Sequence, residues 1–388
     1  MVVRLKKGKE KALNGFHPWV FSGAIATDTS TFQAGSIVRI ESANGDFLAY
    51  GHFDPTNQIR IRAFSFEEFE EGSGPDFWMN RYLKVYTYKK SLLTENTNGF
   101  RLFFSEADGI PGVIVDCYAD TAVLVLNTPG AKNLRESLVR FLSSFGFSHI
   151  VEKIETPGGK SKWEWHLGAK EIGRFLEYGI HFTIHFASAQ KTGFFLDQRE
   201  NRKLLGQYAK GKKVLNTFSY SGGFSLYALK SEAKLVHSVD ISEDAISLCD
   251  ANLKENGWED KISEKVHQGF VMDSFQFLKE MPNSFYDLIV LDPPAFAKSS
   301  GAVLQATKGY KEINLKAISK IAPGGILFTF SCSKHISKDL FQKIVFGAAK
   351  DAKRNARILH HLSQSPDHAP SIFHPEGEYL KGLVIQVD

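Results

Sequence analysis

Short apolar runs and helical stripes alternate through the second half of the chain. The run Leu288-Ile289-Val290-Leu291 reads as a buried strand. Pro293 and Pro294 follow Asp292 and stop it, because neither can donate a ladder hydrogen bond. Asp292 is thereby left at the carboxyl end of a core strand, where open α/β sheets hold their ligands. The next apolar run, 325–330, ends at Ser331-Cys332-Ser333. Upstream, 213–218 is a predicted strand and a helix starts over 224–230. Residues 235–239 form a strand that ends at Asp240. Ser242 then opens a helix, with Glu243 and Asp244 in its first turn. Ala245, Leu248, Cys249 and Leu253 are its apolar stripe. A polar segment leads to Asp273, at the end of a third strand, and a helix follows over 274–279. A helix over about 308–321 and a closing hairpin, 357–362 with 379–387, complete the series. Such alternation predicts a mostly parallel, doubly wound, Rossmann-like sheet over residues 187–388.

The first half reads differently. Residues 35–40, 47–50 and 58–63 are short and strand-like, and Asn44-Gly45 is a hairpin turn. Residues 1–72 are therefore a small β domain. Glu67, Glu68, Glu70, Glu71 and then Gly72-Ser73-Gly74-Pro75 form an acidic, breaker-rich boundary. A helix over about 77–93 follows, then strand-like runs at 100–104, 112–116 and 121–126, and a helix over 133–144. With strands near 150–152 and 180–184, residues 73–186 make a small central α/β domain.

Composition narrows the class. At 388 residues the chain exceeds one ordinary core, and 43% hydrophobic with 23% charged residues is globular. A formal net charge of +4 permits a nucleic-acid partner without demanding one. Its distribution says more, since Arg4, Lys6, Lys7, Lys9 and Lys11 crowd the N-terminus against Glu10. Three scattered cysteines, Cys117, Cys249 and Cys332, make neither a disulfide framework nor a zinc pattern. Cys117 and Cys249 lie in apolar runs and read as small buried hydrophobes. His360, His361, His368 and His374 are spaced poorly for zinc, so no metal is expected. The N-terminus is unlike a signal peptide and no apolar run approaches a membrane span, so a soluble, cytoplasmic protein is expected.

Phe218-Ser219-Tyr220-Ser221-Gly222-Gly223-Phe224 joins the first strand of the Rossmann-like domain to its helix. Its glycines allow a tight turn and close ligand approach. Asp240, eighteen residues past Gly222, can accept both hydroxyls of an adenosine ribose. Nicotinamide and S-adenosylmethionine enzymes share this much. The stretch lacks the G-x-G-x-x-G that holds a pyrophosphate, which favours the phosphate-free S-adenosylmethionine. Asp273 can accept from an adenine amine, cap a helix, or do both. Candidate cofactor contacts are thus Phe218, Ser219, Tyr220, Gly222, Asp240, Ile241, Asp273, Ser274 and Asp292. The segment 191–199 mixes a glycine, paired aromatics and charged groups beyond what packing needs, and it adds Asp197, Gln198 and Arg199.

Together these segments resemble the RlmI-type class I S-adenosylmethionine-dependent methyltransferases, which make 5-methylcytosine in bacterial large-subunit ribosomal RNA. The resemblance covers nearly the whole chain. Residues 17–23 and 58–62 resemble that family's PUA domain, a small RNA-binding β-barrel, and 106–116 its central domain. Residues 191–202 are the most specific signature. Asn216 to Phe224, Asp240, Asp273, Asp292-Pro293-Pro294 and Ser331-Cys332-Ser333 follow in the family's order, and 375–382 match its C-terminal segment. Two positions depart. Ala295 stands where many relatives carry a larger, often basic residue, and 272–275 read Met-Asp-Ser-Phe rather than the commoner Asp-Val-Phe.

The resemblance implies a PUA-like module for RNA, S-adenosylmethionine as cofactor and ribosomal RNA as partner; it leaves a homodimer open. Cys332 is then the nucleophile that adds to cytosine C6, and Asp292 the partner of N3 and the exocyclic amine. The thiol must act as thiolate, so a lowered pKa or a nearby base is expected. Two rivals stand beside this reading. One is a methyltransferase for exocyclic amines, for which Phe296 comes one place late and Cys332 is superfluous. The other is a catalytically inactive RNA-binding assembly factor, which needs no intact Asp240, Asp273, Asp292 and Cys332.

Overall fold

The computed structural model describes residues 1–68, 74–156, 161–297 and 299–388. Glu70, Glu71, Gly72 and Ser73 of the expected boundary lie outside them. The chain forms two compact units. One comprises Met1–Tyr178, Ile184–Leu196 and Pro366–Gly377; the other comprises Gly179–Thr183, Asp197–Ser365 and Glu378–Asp388.

In the first unit, Val2–Arg4, Ile37–Glu41, Phe47–Phe53, Ile59–Ser65 and Trp19–Phe21 form a five-stranded sheet in that spatial order. The turn at Asn44-Gly45 does join a hairpin: Gly45 has φ +94° and its N–H donates to Ser42 O at 3.1 Å. The basic N-terminus starts as an edge strand. Val3 and Leu5 point into the core, while Arg4, Lys6, Lys7, Lys9 and Lys11 remain exposed. A second five-stranded sheet runs Ser161–Leu167, His149–Glu155, Thr121–Leu126, Val113–Tyr118, Gly99–Phe104. Helices Gly74–Ser91 and Arg135–Ser144 share its core through Tyr82, Phe103 and Phe141. Tyr50 and Phe64 of the first sheet belong to the same core. Ser161–Leu167 escapes a sequence reading because it is a largely exposed edge of alternating charged and aromatic residues.

The second unit carries the doubly wound sheet. Its strands are β1 (Lys213–Thr217), β2 (Leu235–Asp240), β3 (His267–Val271), β4 (Leu288–Leu291), β5 (Gly325–Ser331), β6 (Ala356–Ser363) and β7 (Lys381–Val387). Their spatial order is β3-β2-β1-β4-β5-β7-β6. The first five are parallel, and β7 pairs antiparallel with both β5 and β6. The helices of more than one and a half turns are α1 (Arg199–Ala209), α2 (Gly223–Lys230), α3 (Glu243–Glu255), α4 (Ser274–Glu280), α5 (Val303–Lys320) and α6 (Lys338–Ala352), with a shorter one at Glu259–Ser263. α5 begins five residues before the expected start. α6 was not among the expected elements, although its sequence carries the signals: Ser337 caps it through Leu340 N at 3.1 Å, and Phe341, Ile344, Val345 and Ala348 make its buried face. β4 is wholly buried between neighbours on both sides, as a central parallel strand must be.

The chain reverses direction across the sheet between β1 and β4. The loops after these two strands open a crevice at their carboxyl ends, which is where such sheets take ligands.

Candidate cofactor and active site

The loop after β1 is bent unusually hard. Phe218, Tyr220 and Gly222 all have left-handed backbone, at φ +55°, +46° and +80°. For the two aromatic residues this conformation costs about 1–3 kcal/mol each. Four hydrogen bonds hold it. Phe218 N–H donates to Ser274 Oγ at 3.2 Å, Ser219 N–H to Val239 O at 3.0 Å, and Gly222 N–H to Ser219 O at 2.9 Å. The fourth runs from Tyr220 N–H to Asp240 Oδ2 at 2.9 Å. The other oxygen of Asp240 accepts from Ser242 N–H at 3.0 Å. Asp240 therefore organises both the β1 loop and the start of α3, and keeps further lone pairs for a ligand.

Gly222 lies directly on α3. A Cβ there would stand 2.3 Å from Cys249 Sγ. A side chain is therefore excluded here by the protein itself, apart from the close ligand approach expected of this glycine. Cys117 and Cys249 are fully buried; burial pushes the Cys249 thiol up to about 12, and that of Cys117 well above the ordinary value.

Beside Asp240, Ile241 is 73% exposed, and Val271 at the end of β3 is 54% exposed. Asp273 caps α4 through Gln276 N at 3.0 Å, and the adjacent Ser274 reaches Phe218. The carboxyl ends of β1, β2 and β3 thus meet in one hydrogen-bonded rim with an open apolar flank.

On the other side of the crevice, Asp292 accepts from Gln198 Nε2 at 3.0 Å. Asn201 Nδ2 donates to Gln198 Oε1 at 2.6 Å and to Ser363 O at 3.0 Å, which anchors that amide. Asp197 is buried, and its Oδ2 accepts from the Tyr379 hydroxyl at 2.6 Å. Arg199 is also buried, at 2% exposure, with Nε 3.2 Å from Glu200. Of this upstream segment, Gln198 reaches the crevice acid, and Asp197 and Arg199 are buried.

Register places Leu291 opposite Thr329, so the ends of β4 and β5 are adjacent. Cys332 is half-buried, and its Sγ lies 3.9 Å from Pro293 O. The thiol thus lies against the turn that follows Asp292. Ser333 Oγ accepts from Ala297 N–H at 3.1 Å and lies 2.8 Å from the Tyr310 hydroxyl, which ties the two loops. Phe296 packs against Tyr310 and Phe275, with ring centroids 4.6 and 5.9 Å apart. Asn201, Tyr310 and Ser333 were not anticipated. Each lies on a helix or in a turn where only tertiary contact reveals its partner.

Among the described residues, no three His, Cys, Asp or Glu side chains converge as metal ligands would, and no helix is long and apolar enough to cross a membrane. His360, one of the clustered histidines, instead meets the Tyr208 hydroxyl at 2.8 Å.

Comparison with known proteins bears on the same two segments. Residues 3–66 match the PUA-like domain family, and residues 141–375 match the S-adenosylmethionine-dependent methyltransferases. A ribosomal RNA large subunit methyltransferase I from Aeromonas salmonicida is 38% identical, covering 99% of this chain and 98% of the relative. The protein of that name from Shewanella denitrificans is 37% identical, with 99% of each covered. Two solved structures share the fold over essentially the whole chain at 23% identity. One, described as a candidate SAM-dependent methyltransferase from Streptococcus mutans, has a TM-score of 0.83; the other, a methyltransferase complexed with SAH, has 0.84. The reversal of strand order, the loop held by Asp240 and the near end-to-end match agree. This chain belongs to the S-adenosylmethionine-dependent methyltransferases with a PUA-like domain, in the family of the ribosomal RNA large subunit methyltransferase I proteins.

Proposed function

We propose that the protein methylates C5 of a cytosine in large-subunit ribosomal RNA, with Cys332 as nucleophile. The observation that carries this reading is the meeting of Cys332 and the Asp292–Pro293 turn at the ends of adjacent strands, with the thiol half-open to the crevice. A cytoplasmic setting goes with it. Residues 1–72 serve RNA binding, 73–186 form the central domain, and 187–388 carry the chemistry.

S-adenosylmethionine fits the rim built by β1 to β3. Asp240 is placed for the ribose hydroxyls, Ile241 offers an uncovered apolar side for the adenine, and Asp273 and Ser274 close that end. Phe218, Ser219, Tyr220 and Gly222 line the approach. The bound cofactor supplies an electrophilic methyl group on sulfonium.

The chain's residues do the rest. The Cys332 thiolate bonds to C6, and the C5–C6 π pair moves to C5, which takes the methyl group as the methyl–sulfonium bond breaks and leaves its electron pair on that sulfur. Asp292, held by Gln198, accepts from the exocyclic amine and, carrying a proton, donates it to N3 as charge reaches the ring. Loss of the C5 proton returns its electron pair to the ring and breaks the bond to sulfur. The target cytosine must be unpaired or flipped out to enter. Phe296 is packed on Tyr310 and Phe275, so nothing here requires it as a stacking platform. The direct test is incubation with labelled S-adenosylmethionine and unmodified ribosomal RNA, followed by digestion. Label in 5-methylcytidine supports the reading; label in a methylated exocyclic amine refutes it.

Asp240→Asn keeps the shape and removes the charge. We expect S-adenosylmethionine affinity to fall by about 1.5–3 kcal/mol, the range for hydrogen bonds to a charged group. Asp240→Ala adds loss of the loop bond to Tyr220, so it should bind more weakly still. Calorimetry on both measures this. Unchanged affinity in Asp240→Asn removes the ribose role.

The exposed lysines of the N-terminal edge are expected to contact RNA phosphate. Replacing Lys7, Lys9 and Lys11 together by alanine should leave cofactor affinity intact. It should also reduce the slope of log K against log salt by about 2, roughly 0.7 per lysine on single strands. Filter binding across a salt series reads this, and an unaltered slope places RNA elsewhere.

A further inference from the structure

Lys381 opens β7, opposite Ser331 of β5 and Ser363 of β6. The residue is 6% exposed, so its ammonium has left water. Burial drags its pKa down to about 8, and negative charge on Cys332 and then Glu378 pulls it back up. An apolar side chain would fill this interior position without that penalty.

Its contacts indicate why a cation sits there. Lys381 Nζ donates to Ser333 O at 2.6 Å and to Ile336 O at 2.7 Å. Both carbonyls belong to the turn immediately after Cys332. Other charged or titratable groups around the thiol are already committed or open to water. Asp292 is bonded to Gln198, and the Tyr310 hydroxyl to Ser333. Lys338 pairs with Glu378, and Lys334 and His335 are exposed to solvent, where their charge is screened. Lys381 is a buried positive charge whose field reaches the sulfur.

We propose that Lys381 is a positioning residue for Cys332: its ammonium fixes the 333–336 turn and stabilises the thiolate, keeping the sulfur nucleophilic at neutral pH. This rests on Cys332 being the nucleophile. The attraction is mutual, since each charge favours the other. Above a pH of about 8, loss of the lysine proton should loosen the turn as well as remove the field.

The test follows carboxamidomethylation of Cys332 by iodoacetamide, read by peptide mass spectrometry against pH. It compares the full-length wild type with Lys381→Met and Lys381→Arg. In the wild type the midpoint should lie below the ordinary thiol value of about 8.5. Lys381→Met should raise it by about one unit, slowing alkylation at pH 7 about tenfold, whereas Lys381→Arg should stay near the wild type. A wild-type midpoint at or above the ordinary value overturns the proposal, whether or not the variants fold. So does a folded Lys381→Met protein with the wild-type midpoint, because a mere staple would not move the thiol. Methylation by Cys332→Ala is measured in parallel. Activity there would remove the nucleophile role, while the alkylation profile would still report the coupling of Lys381 to the sulfur.

Discussion

Cys332→Ala should abolish methyl transfer, by about 10⁴-fold or more, while cofactor binding and folding persist. The thiol lies just beyond the end of β5 and is only half-buried, so its removal costs no ladder hydrogen bond and opens little cavity. A cytosine C5 enzyme must pass through a bond from sulfur to C6, which is released only when the C5 proton leaves. Fluorine at C5 cannot leave as a proton. RNA containing 5-fluorocytidine should therefore be methylated once and remain attached to the protein under denaturing conditions, in the presence of S-adenosylmethionine. Cys332→Ala should form no such complex. Cys117→Ala and Cys249→Ala should still form it, because both thiols are fully buried and burial keeps them protonated. A well-folded, fully active Cys332→Ala protein would sink the nucleophile assignment and put methylation of an exocyclic amine ahead.

The second large effect is expected from Gly222→Ala. At φ +80° an alanine bears about 1–2 kcal/mol of backbone strain. Its Cβ would also stand 2.3 Å from Cys249 Sγ and 3.1 Å from Leu226 Cδ1. Cys249 is on a buried face of α3, and Asn252 of that helix donates to Ser221 O at 3.0 Å, so neither side yields easily. Overpacking of this kind adds about 1–3 kcal/mol. The loop will shift to relieve it and lose the bond from Tyr220 to Asp240. We expect S-adenosylmethionine affinity to drop at least about 100-fold, roughly 2.7 kcal/mol. Cys249→Ala in the same protein removes the sulfur and should restore part of the loss, leaving the φ strain. Calorimetry and thermal melts on the single and double variants separate the two terms. Wild-type affinity in Gly222→Ala would show that the loop does not touch the cofactor.

The two central residues were legible because backbone chemistry marks them. Two prolines stop β4 whatever surrounds it, and an apolar run ending in polar residues marks the end of β5. β3 was harder to read. It is an edge strand of the sheet, and of its five residues only His267 is buried, against the Ser238 hydroxyl at 2.8 Å, so it lacks an apolar run. Gly222 was read as a place where a ligand nears the backbone; what the fold adds is a protein neighbour, Cys249, from a helix more than twenty residues on. Lys381 could not be read at all. A lysine at the start of an apolar strand looks like a charge reaching water, and only the register with Ser331 turns it towards the carbonyls of Ser333 and Ile336. Gln198 was suspected from its neighbours. Its lock through Asn201 to Ser363 O depends on a β6 strand more than 160 residues away.

The placement of β7 bears on how the protein is made. It follows β5 and β6 in the chain, yet in the sheet it lies between them. Until it arrives, β6 has no partner strand and β5 presents an open edge. Tyr379, which holds Asp197, and Lys381 arrive with it. A nascent chain on the ribosome can assemble β1 to β4 but not the support for the thiol, so reactivity should switch on only after Tyr379 and Lys381 emerge. A premature stop before residue 381 would release a chain with an unpaired hydrophobic edge, a template for aggregation as well as an inactive product.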